Sequence, residues 1–118
     1  MSNRNYLPER GDIIWIDFEP TKGKEIGKLR PALVLTSKAY HSKKRLLMCC
    51  PITTSLRGGL EEVPIDGLGK PSAVVSSMVQ TLSWTDRNVS FIQKATKDVQ
   101  NEVLLRLLPL LGAENLLQ

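Results

Sequence analysis

The chain has 118 residues, of which 42% are apolar and 24% charged, so it can build one hydrophobic core and is expected to form a single domain over residues 1–118. Its net charge of +4 suits a polyanionic partner, although a basic protein that merely stays soluble would carry the same charge. The chain has no apolar run of the roughly 20 residues that a membrane helix needs and no signal peptide in its polar start, so we expect a cytoplasmic protein with no membrane contact.

The first two predicted strands flank a charged loop. Residues 12–18 are apolar and β-branched, and residues 32–36 have the same character, which is typical of buried strands. A proline and two glycines argue against regular structure in the loop between them. Loops held between rigid strands often present functional groups. Glu25 and Arg30, at the end of this loop, are therefore the first candidates for chemistry.

The polar connection over residues 37–44 is predicted to hold one helical turn, capped by Ser37. It contains the only histidine of the chain, His41, which we interpret as a solvated surface residue because its neighbours are basic and polar. A single histidine excludes a ribonuclease mechanism that needs two.

The third predicted strand, residues 46–50, ends in two adjacent cysteines. Neighbouring residues of a strand point to opposite faces, so Cys49 and Cys50 form neither a disulfide framework nor a metal site. Buried thiols in a reducing cytosol are the expected state.

Hydroxyl side chains cluster directly after this strand. Thr53 and Thr54 either cap loose backbone groups at the strand end or belong to a functional site.

The rest of the chain before residue 96 reads as short strands between turns. The loop over residues 56–60 is basic, and Trp84 is expected to pack on the core. Residues 62–65 form a short strand, and Pro64 indicates that it lies at the edge of the sheet. Residues 72–75 and 79–82 form either one long strand or two strands joined by a bulge at 76–78. Residues 90–94 form the last strand. This spacing indicates a small antiparallel barrel.

The final segment changes to helical periodicity. Thr96 can cap a helix whose apolar face is expected to pack on the barrel: Val99, Val103, Leu104, Leu107 and Leu108. Pro109 should end or kink this helix. Four further leucines leave apolar surface for a subunit contact: Leu110, Leu111, Leu116 and Leu117.

Glu25, Arg30 and Thr53 together offer a base, a cation and a hydroxyl donor. A guanidinium matches phosphate oxygens with a fork of donors, and a hydroxyl can donate to a developing oxyanion. Such a set without metal ligands suits the transesterification of RNA, in which the 2′-OH is the nucleophile. Glu25 and Arg30 could equally form an exposed ion pair in the loop, which contributes little to stability.

Three segments resemble the MazF/PemK toxins of toxin–antitoxin systems. Residues 8–23 (PERGDIIWIDFEPTKG) resemble the opening of these toxins, residues 27–35 (GKLRPALVL) their next strand, and residues 51–54 (PITT) their third strand. The likeness extends over nearly the whole chain and weakens towards the C-terminal helix.

The resemblance implies a mainly β fold with a C-terminal helix, a small SH3-like antiparallel barrel that works as a homodimer. It implies a metal-independent endoribonuclease, without a cofactor, that cleaves single-stranded mRNA at short sequences and halts growth. An antitoxin of the MazE/PemI type would hold it inactive with a disordered tail. The family arginine maps to Arg30, which would stabilise the scissile phosphate and is a candidate general acid. The family threonine maps to Thr53, and Glu25 is the candidate base.

Further side chains are expected to bind the RNA, because they are basic or polar and lie on predicted loops or strand ends: Lys22, Lys24, Lys28, Thr54, Ser55, Arg57, Ser77 and Gln80. The basic members would form an electropositive groove that RNA and the acidic antitoxin tail share.

One departure from the family concerns Ser77 and Met78, which stand where many relatives carry an Asp-Gln pair. Where that acid is catalytic its role does not carry over, so either Glu25 substitutes for it, or cleavage is slower, or the sequence preference differs. Two alternatives remain: a gyrase-binding toxin like CcdB, which needs a Trp-Gly-Ile type ending that this chain lacks, and a non-catalytic RNA-binding barrel.

Overall fold

The computed structural model describes residues 5–19 and 29–116, and within these ranges the chain forms seven strands and two helices. In chain order they are β1 (Asp12–Asp17), β2 (Leu29–Val34), α1 (Lys38–Lys44), β3 (Leu46–Thr53), β4 (Glu62–Ile65), β5 (Ser72–Val75), β6 (Gln80–Ser83), β7 (Ser90–Lys94) and α2 (Lys97–Leu110). Neither helix is long and apolar enough to cross a bilayer.

The seven described strands form one curled antiparallel sheet, a half-barrel. Six of them lie in the order β4-β5-β3-β2-β1-β7, and β6 pairs with β3 outside this path. The long strand β3 organises this sheet. Its residues 46–49 pair with β6, residues 49–51 with β2, and residues 52–53 with β5. The predicted mainly β fold with a C-terminal helix is confirmed, and the C-terminal end of β3 is brought between β2 and β5.

Both faces of the central strands are buried, because successive side chains point to opposite sides. One apolar cluster contains Ile13, Leu33, Cys50, Val74 and Val103, and the other contains Ile14, Ala32, Val34, Cys49 and Leu82, with Trp84 packed against it. Cys49 and Cys50 are therefore buried in different clusters, as predicted. Burial raises the pKa of each thiol to about 12, so neither is a reactive thiolate.

The second strand begins earlier than predicted, and this moves Arg30 from a loop onto β2. Arg30 pairs with Ile16, and Pro31 pairs with Trp15 on the same neighbouring strand. Because β3 joins β2 only from Ala32 onward, Pro31 has one partner strand and its missing N–H is tolerated. The backbone of Arg30 is therefore held in place by its pairing with β1.

The predictions for the later strands are mostly confirmed. β4 and β7 have the predicted bounds, and β4 lies at one end of the strand order, as Pro64 indicated. β5 (residues 72–75) and β6 (residues 80–83, one residue later than predicted) are two separate strands that pair with opposite halves of β3. They are joined by a turn in which Met78 N donates to Val75 O at 3.2 Å.

The interpretation of His41 as a solvated residue is wrong. His41 lies on α1, which Ser37 caps as predicted, and its side chain is 0% exposed. Its Nδ1 donates to Pro8 O at 2.7 Å, which leaves Nε2 to accept from the Thr36 hydroxyl at 2.6 Å. Burial lowers the pKa of His41, so the ring is held neutral in the core. Basic neighbours suggested exposure, but these distant acceptors and donors satisfy the imidazole inside the fold.

Helix α2 is capped by Thr96, as predicted, and packs Val103 into the core. Its Gln100 side chain lies where a Cβ at Gly11 would stand, and Gly11 has a φ of +90°, which favours glycine at this contact. Pro109 lies in the last turn, and the helix ends one residue later. Five leucines of α2 and of the segment after it are exposed: Leu104, Leu105, Leu110, Leu111 and Leu116. Leu104, which was predicted to pack on the barrel, is 42% exposed.

Candidate active site

A cleft opens where the end of β3 meets β2, β5 and the segment that precedes β4. Its volume is about 410 Å³, and the described residues that line it are Arg30, Pro51, Ile52, Thr53, Ser55, Arg57, Glu61, Glu62, Val75, Ser77 and Met78. The walls combine two cations, two carboxylates and three hydroxyls with an apolar floor. Such a cleft can bind a polar, charged ligand that also has a flat apolar part.

Five of the side chains predicted for the site line this cleft together: Arg30, Thr53, Ser55, Arg57 and Ser77. Thr54 and Gln80 do not line it. Thr54 is exposed directly after β3, and Gln80 is exposed at the start of β6, where it pairs with Cys49. The remaining predicted residues lie outside the described ranges: Lys22, Lys24, Glu25 and Lys28.

Arg30 presents an exposed guanidinium on a fixed backbone. Its position on β2 is set by pairing with Ile16, and its side chain makes no hydrogen bond or ion pair with another residue in ranges 5–19 and 29–116. A guanidinium carries five N–H donors and no acceptor. Within the part of the chain that the structure describes, this fork of donors is therefore available to an anion in the cleft.

Thr53 has the first of the two roles predicted for it, the strand-end cap, and its role in a functional site stays a prediction. It is the last residue of β3, and its Oγ1 accepts a hydrogen bond from Ser55 N at 2.9 Å, so it does cap the strand end. A hydroxyl oxygen that accepts still has its own hydrogen to donate. The cap fixes the position of the oxygen at the cleft wall, and the hydrogen can point towards a ligand.

The loop that carries Arg57 is held by Glu62, a residue that sequence reasoning did not single out. Its carboxylate accepts from Arg57 N at 2.9 Å and from Gly58 N at 3.0 Å. Arg106 of α2 donates to Leu60 O at 2.6 Å and to Glu62 O at 3.0 Å, which ties the segment to the helix. The sequence signal was an acidic residue three positions after the Gly58-Gly59 pair, a spacing that lets a carboxylate cap the loop amides.

Glu61 and Met78 are the other lining residues that sequence reasoning missed. Glu61 O accepts from Ser76 N at 2.8 Å and from Ser76 Oγ at 2.7 Å. These hydrogen bonds connect the residue before β4 to the residue after β5. Met78 is 56% exposed and gives the cleft a soft apolar surface on which a nucleobase could lie. A strand-end glutamate and an exposed methionine carry no distinctive sequence signal.

The predicted electropositive groove stays a prediction, because Lys22, Lys24 and Lys28 lie outside the described ranges. Arg30 and Arg57 are offset by Glu61 and Glu62, and of the basic residues expected around the groove only Arg57 lies within the described ranges. In residues 5–19 and 29–116, no three His, Cys, Asp or Glu side chains lie close enough together to hold a metal ion.

Comparison with known proteins finds toxins that are similar to this chain in sequence and in structure. Residues 9–111 match the family model described as PemK-like, MazF-like toxin of type II toxin–antitoxin system. The chain is 36% identical to the endoribonuclease toxin MazF of Escherichia coli K12 over 72% of its length and 77% of that protein. It is 31% identical to the endoribonuclease PemK of Escherichia coli, over 84% of this chain and 78% of that protein. A MazE–MazF crystal structure from Deinococcus radiodurans superposes with a TM-score of 0.83 at 36% identity, covering 92% and 98% of the two chains.

Proposed function

The chain belongs to the PemK-like, MazF-like toxins of type II toxin–antitoxin systems, and on that premise we propose that it cleaves single-stranded mRNA at short sequences and so halts growth. As a MazF-like toxin it is an endoribonuclease. The observation that carries the proposed substrate is one cleft that holds a guanidinium and a hydroxyl donor, both without a described partner for their hydrogens. These are the groups that a phosphodiester needs as its negative charge grows.

In the proposed mechanism, Arg30 binds the scissile phosphate with two parallel N–H donors, and Thr53 donates its hydroxyl hydrogen to a phosphate oxygen. The neighbouring ribose 2′-OH attacks the phosphorus without a metal ion. The bond to the 5′-oxygen breaks, which leaves a 2′,3′-cyclic phosphate and a 5′-hydroxyl. Arg30 is the candidate donor of the proton that the leaving oxygen takes. Glu25 remains a proposed base, and it lies outside the described residues.

Recognition of the RNA is proposed to use the rest of the cleft and its margins. Ser55, Arg57 and Ser77 offer polar contacts, and the exposed Met78 offers a face for stacking. Thr54 and Gln80 are proposed to contact nucleotides that extend past the cleft, together with Lys22, Lys24 and Lys28. Unstacked bases can be read in this way, whereas bases paired in a duplex cannot.

The experiment that tests this function is an incubation of the purified protein with a labelled single-stranded RNA in the presence of EDTA. We expect cleavage at defined positions and 5′-hydroxyl ends, while the same RNA annealed to its complement resists. A requirement for added Mg²⁺ would contradict the proposed chemistry. No cleavage of any RNA, together with arrest of DNA gyrase, would contradict the function and favour a CcdB-like toxin.

The proposed protein partner is an antitoxin of the MazE/PemI type with an acidic, disordered tail. Support comes from the toxin–antitoxin family and from the solved MazE–MazF complex among the similar structures. We expect such a tail to compete with RNA for the cleft and to bind more weakly as salt rises, because exposed charges are screened within about 8 Å at physiological ionic strength. Fluorescence anisotropy of a labelled tail, titrated against RNA at several salt concentrations, measures both effects. Simultaneous binding of tail and RNA at full affinity would contradict the shared cleft.

We extend the proposal to a homodimer, for which the exposed leucines of α2 supply apolar surface. A solution mass of one 13.2 kDa chain at working concentration would contradict this assembly.

A further inference from the structure

Glu61 is a carboxylate of the cleft that the mechanism so far leaves unused. It lines the same cavity as Arg30 and Thr53 and is half-buried. Its carboxylate makes no hydrogen bond or ion pair with any other residue in ranges 5–19 and 29–116. Within this part of the chain, both carboxylate oxygens are therefore free to accept a proton from a ligand.

The neighbouring Glu62 has a different environment. Its oxygens accept from the amides of Arg57 and Gly58, at 2.9 and 3.0 Å, and its backbone carbonyl accepts from Arg106. A carboxylate that caps two amides is a structural group, and proton uptake by it would weaken the loop. Of the two acidic side chains in the described lining, only Glu61 can change its protonation without such a loss.

The backbone of Glu61 is held firmly at the cleft wall. Ser76, which is fully buried, donates to Glu61 O from both its N–H and its hydroxyl. The next residue pairs with Val75 in the β4–β5 ladder. A Cβ placed on Gly59 would overlap Glu61 Oε1, so the glycine leaves the space that the carboxylate occupies. The side chain is thus presented by a fixed backbone, as a group that reacts at a defined position must be.

The other described groups around the cleft are poor proton acceptors. Arg30 and Arg57 are cations without an acceptor, and the hydroxyls of Thr53, Ser55 and Ser77 are weak bases. His41, an imidazole, is buried away from the cleft with both ring nitrogens hydrogen-bonded. A transesterification that starts from a 2′-OH needs an acceptor for the hydroxyl proton, and Glu61 is the described side chain that meets this need.

We propose that Glu61, in place of Glu25, is the general base of the reaction, an assignment that rests on the proposed ribonuclease function. The Glu61 carboxylate takes the proton of the ribose 2′-OH as the 2′-oxygen forms its bond to phosphorus. The bond between phosphorus and the 5′-oxygen breaks, and the leaving oxygen takes a proton from the general acid, for which Arg30 is the candidate. Glu61 then gives its proton to water, and Arg30 takes a proton back from water, so both groups return to their starting states. The other charged side chains that line the cleft in the described ranges are Arg30, Arg57 and Glu62.

The test is the variant Glu61→Gln, which keeps the shape of the side chain and removes the basic oxygen. We expect kcat to fall about 10²-fold, the lower end of the range for general base catalysis, with little change in KM. We expect kcat/KM of the wild-type enzyme to fall towards low pH as the base is protonated, and this fall should disappear in the variant. The matched control is Glu114→Gln, an exposed glutamate outside the cleft, for which rate and pH profile should stay as in the wild type.

Three results would overturn the assignment. Glu61→Gln that cleaves with normal kcat and a normal pH profile would remove Glu61 from proton transfer, and a large loss in Glu25→Gln measured in parallel would assign the base to Glu25. An unchanged kcat with a new base preference at the cut would make Glu61 a reader of sequence. A wild-type protein that cleaves no RNA would instead defeat the ribonuclease function itself. Unchanged thermal unfolding and RNA binding of the variant confirm that a lost rate is not a lost fold.

Discussion

Replacement of Arg30 by alanine should lower the rate of RNA cleavage by at least about 10² to 10³-fold, the loss typical of a missing oxyanion donor. The guanidinium lies in the cleft with Thr53, on a strand whose pairing fixes the backbone, and it has no described partner that would compete with a phosphate. The effect should fall mainly on kcat, because the proposed contact strengthens as charge develops in the transition state.

Two further variants separate the shape of Arg30 from its charge. Arg30→Lys should recover little activity, since an ammonium keeps the charge and loses the planar fork. Arg57→Ala removes a second cation from the same cleft and should raise KM more than it lowers kcat, because its proposed role is to bind RNA. The folding of Arg30→Ala should be nearly unchanged, since the residue is exposed. A folded Arg30→Ala that cleaves RNA at the normal rate would remove this residue from the mechanism.

Much of the sheet could be predicted because local residue patterns show where its strands begin and end. β7 is bounded by turn residues on its N-terminal side and by a helix cap on the other, so its ends are visible in the sequence. β2 was placed three residues late, since Arg30-Pro31 reads locally as a boundary. Only the absence of β3 beside Pro31 explains why the strand can begin earlier. The start of the strand depends on which residues of distant strands pair with it, and local strand propensity gives no information about that pairing.

His41 illustrates the same limit for burial. Lysines and serines around it predict a solvated side chain, yet its ring nitrogens reach Pro8, 33 residues away in sequence, and Thr36. The turn between β5 and β6 is a second case, because its apolar and hydroxyl residues fit a continuous strand equally well. The two halves separate because they pair with different parts of β3.

The candidate site was predictable where residue type and family resemblance agreed. Arg30 and Thr53 were expected together, and the structure places both on the cleft, although their catalytic roles stay predictions. Glu61 was missed because its position depends on Ser76, 15 residues further along the chain. Glu25, the acid that the sequence favoured, lies outside the described residues. The two glutamates are therefore compared best by parallel variants.

The second large effect is expected from a change in the substrate, because the proposed nucleophile is a 2′-hydroxyl of the RNA. A single 2′-deoxy substitution at the ribose on the 5′ side of the cut removes the attacking hydroxyl and leaves the phosphate, the base and their contacts in place. Cleavage at that position should be abolished, while the binding affinity for the oligonucleotide should change little. The matched control is the same substitution one nucleotide further in the 3′ direction, where the rate should be close to that of the all-RNA strand.

The most direct test of the central claim is therefore the cleavage of these two oligonucleotides by the purified protein in EDTA, with the ends of the products identified by mass spectrometry. The control strand should give a 2′,3′-cyclic phosphate and a 5′-hydroxyl, and the strand that lacks the attacking 2′-OH should give no product. Cleavage that ignores the deoxy substitution would contradict the central claim.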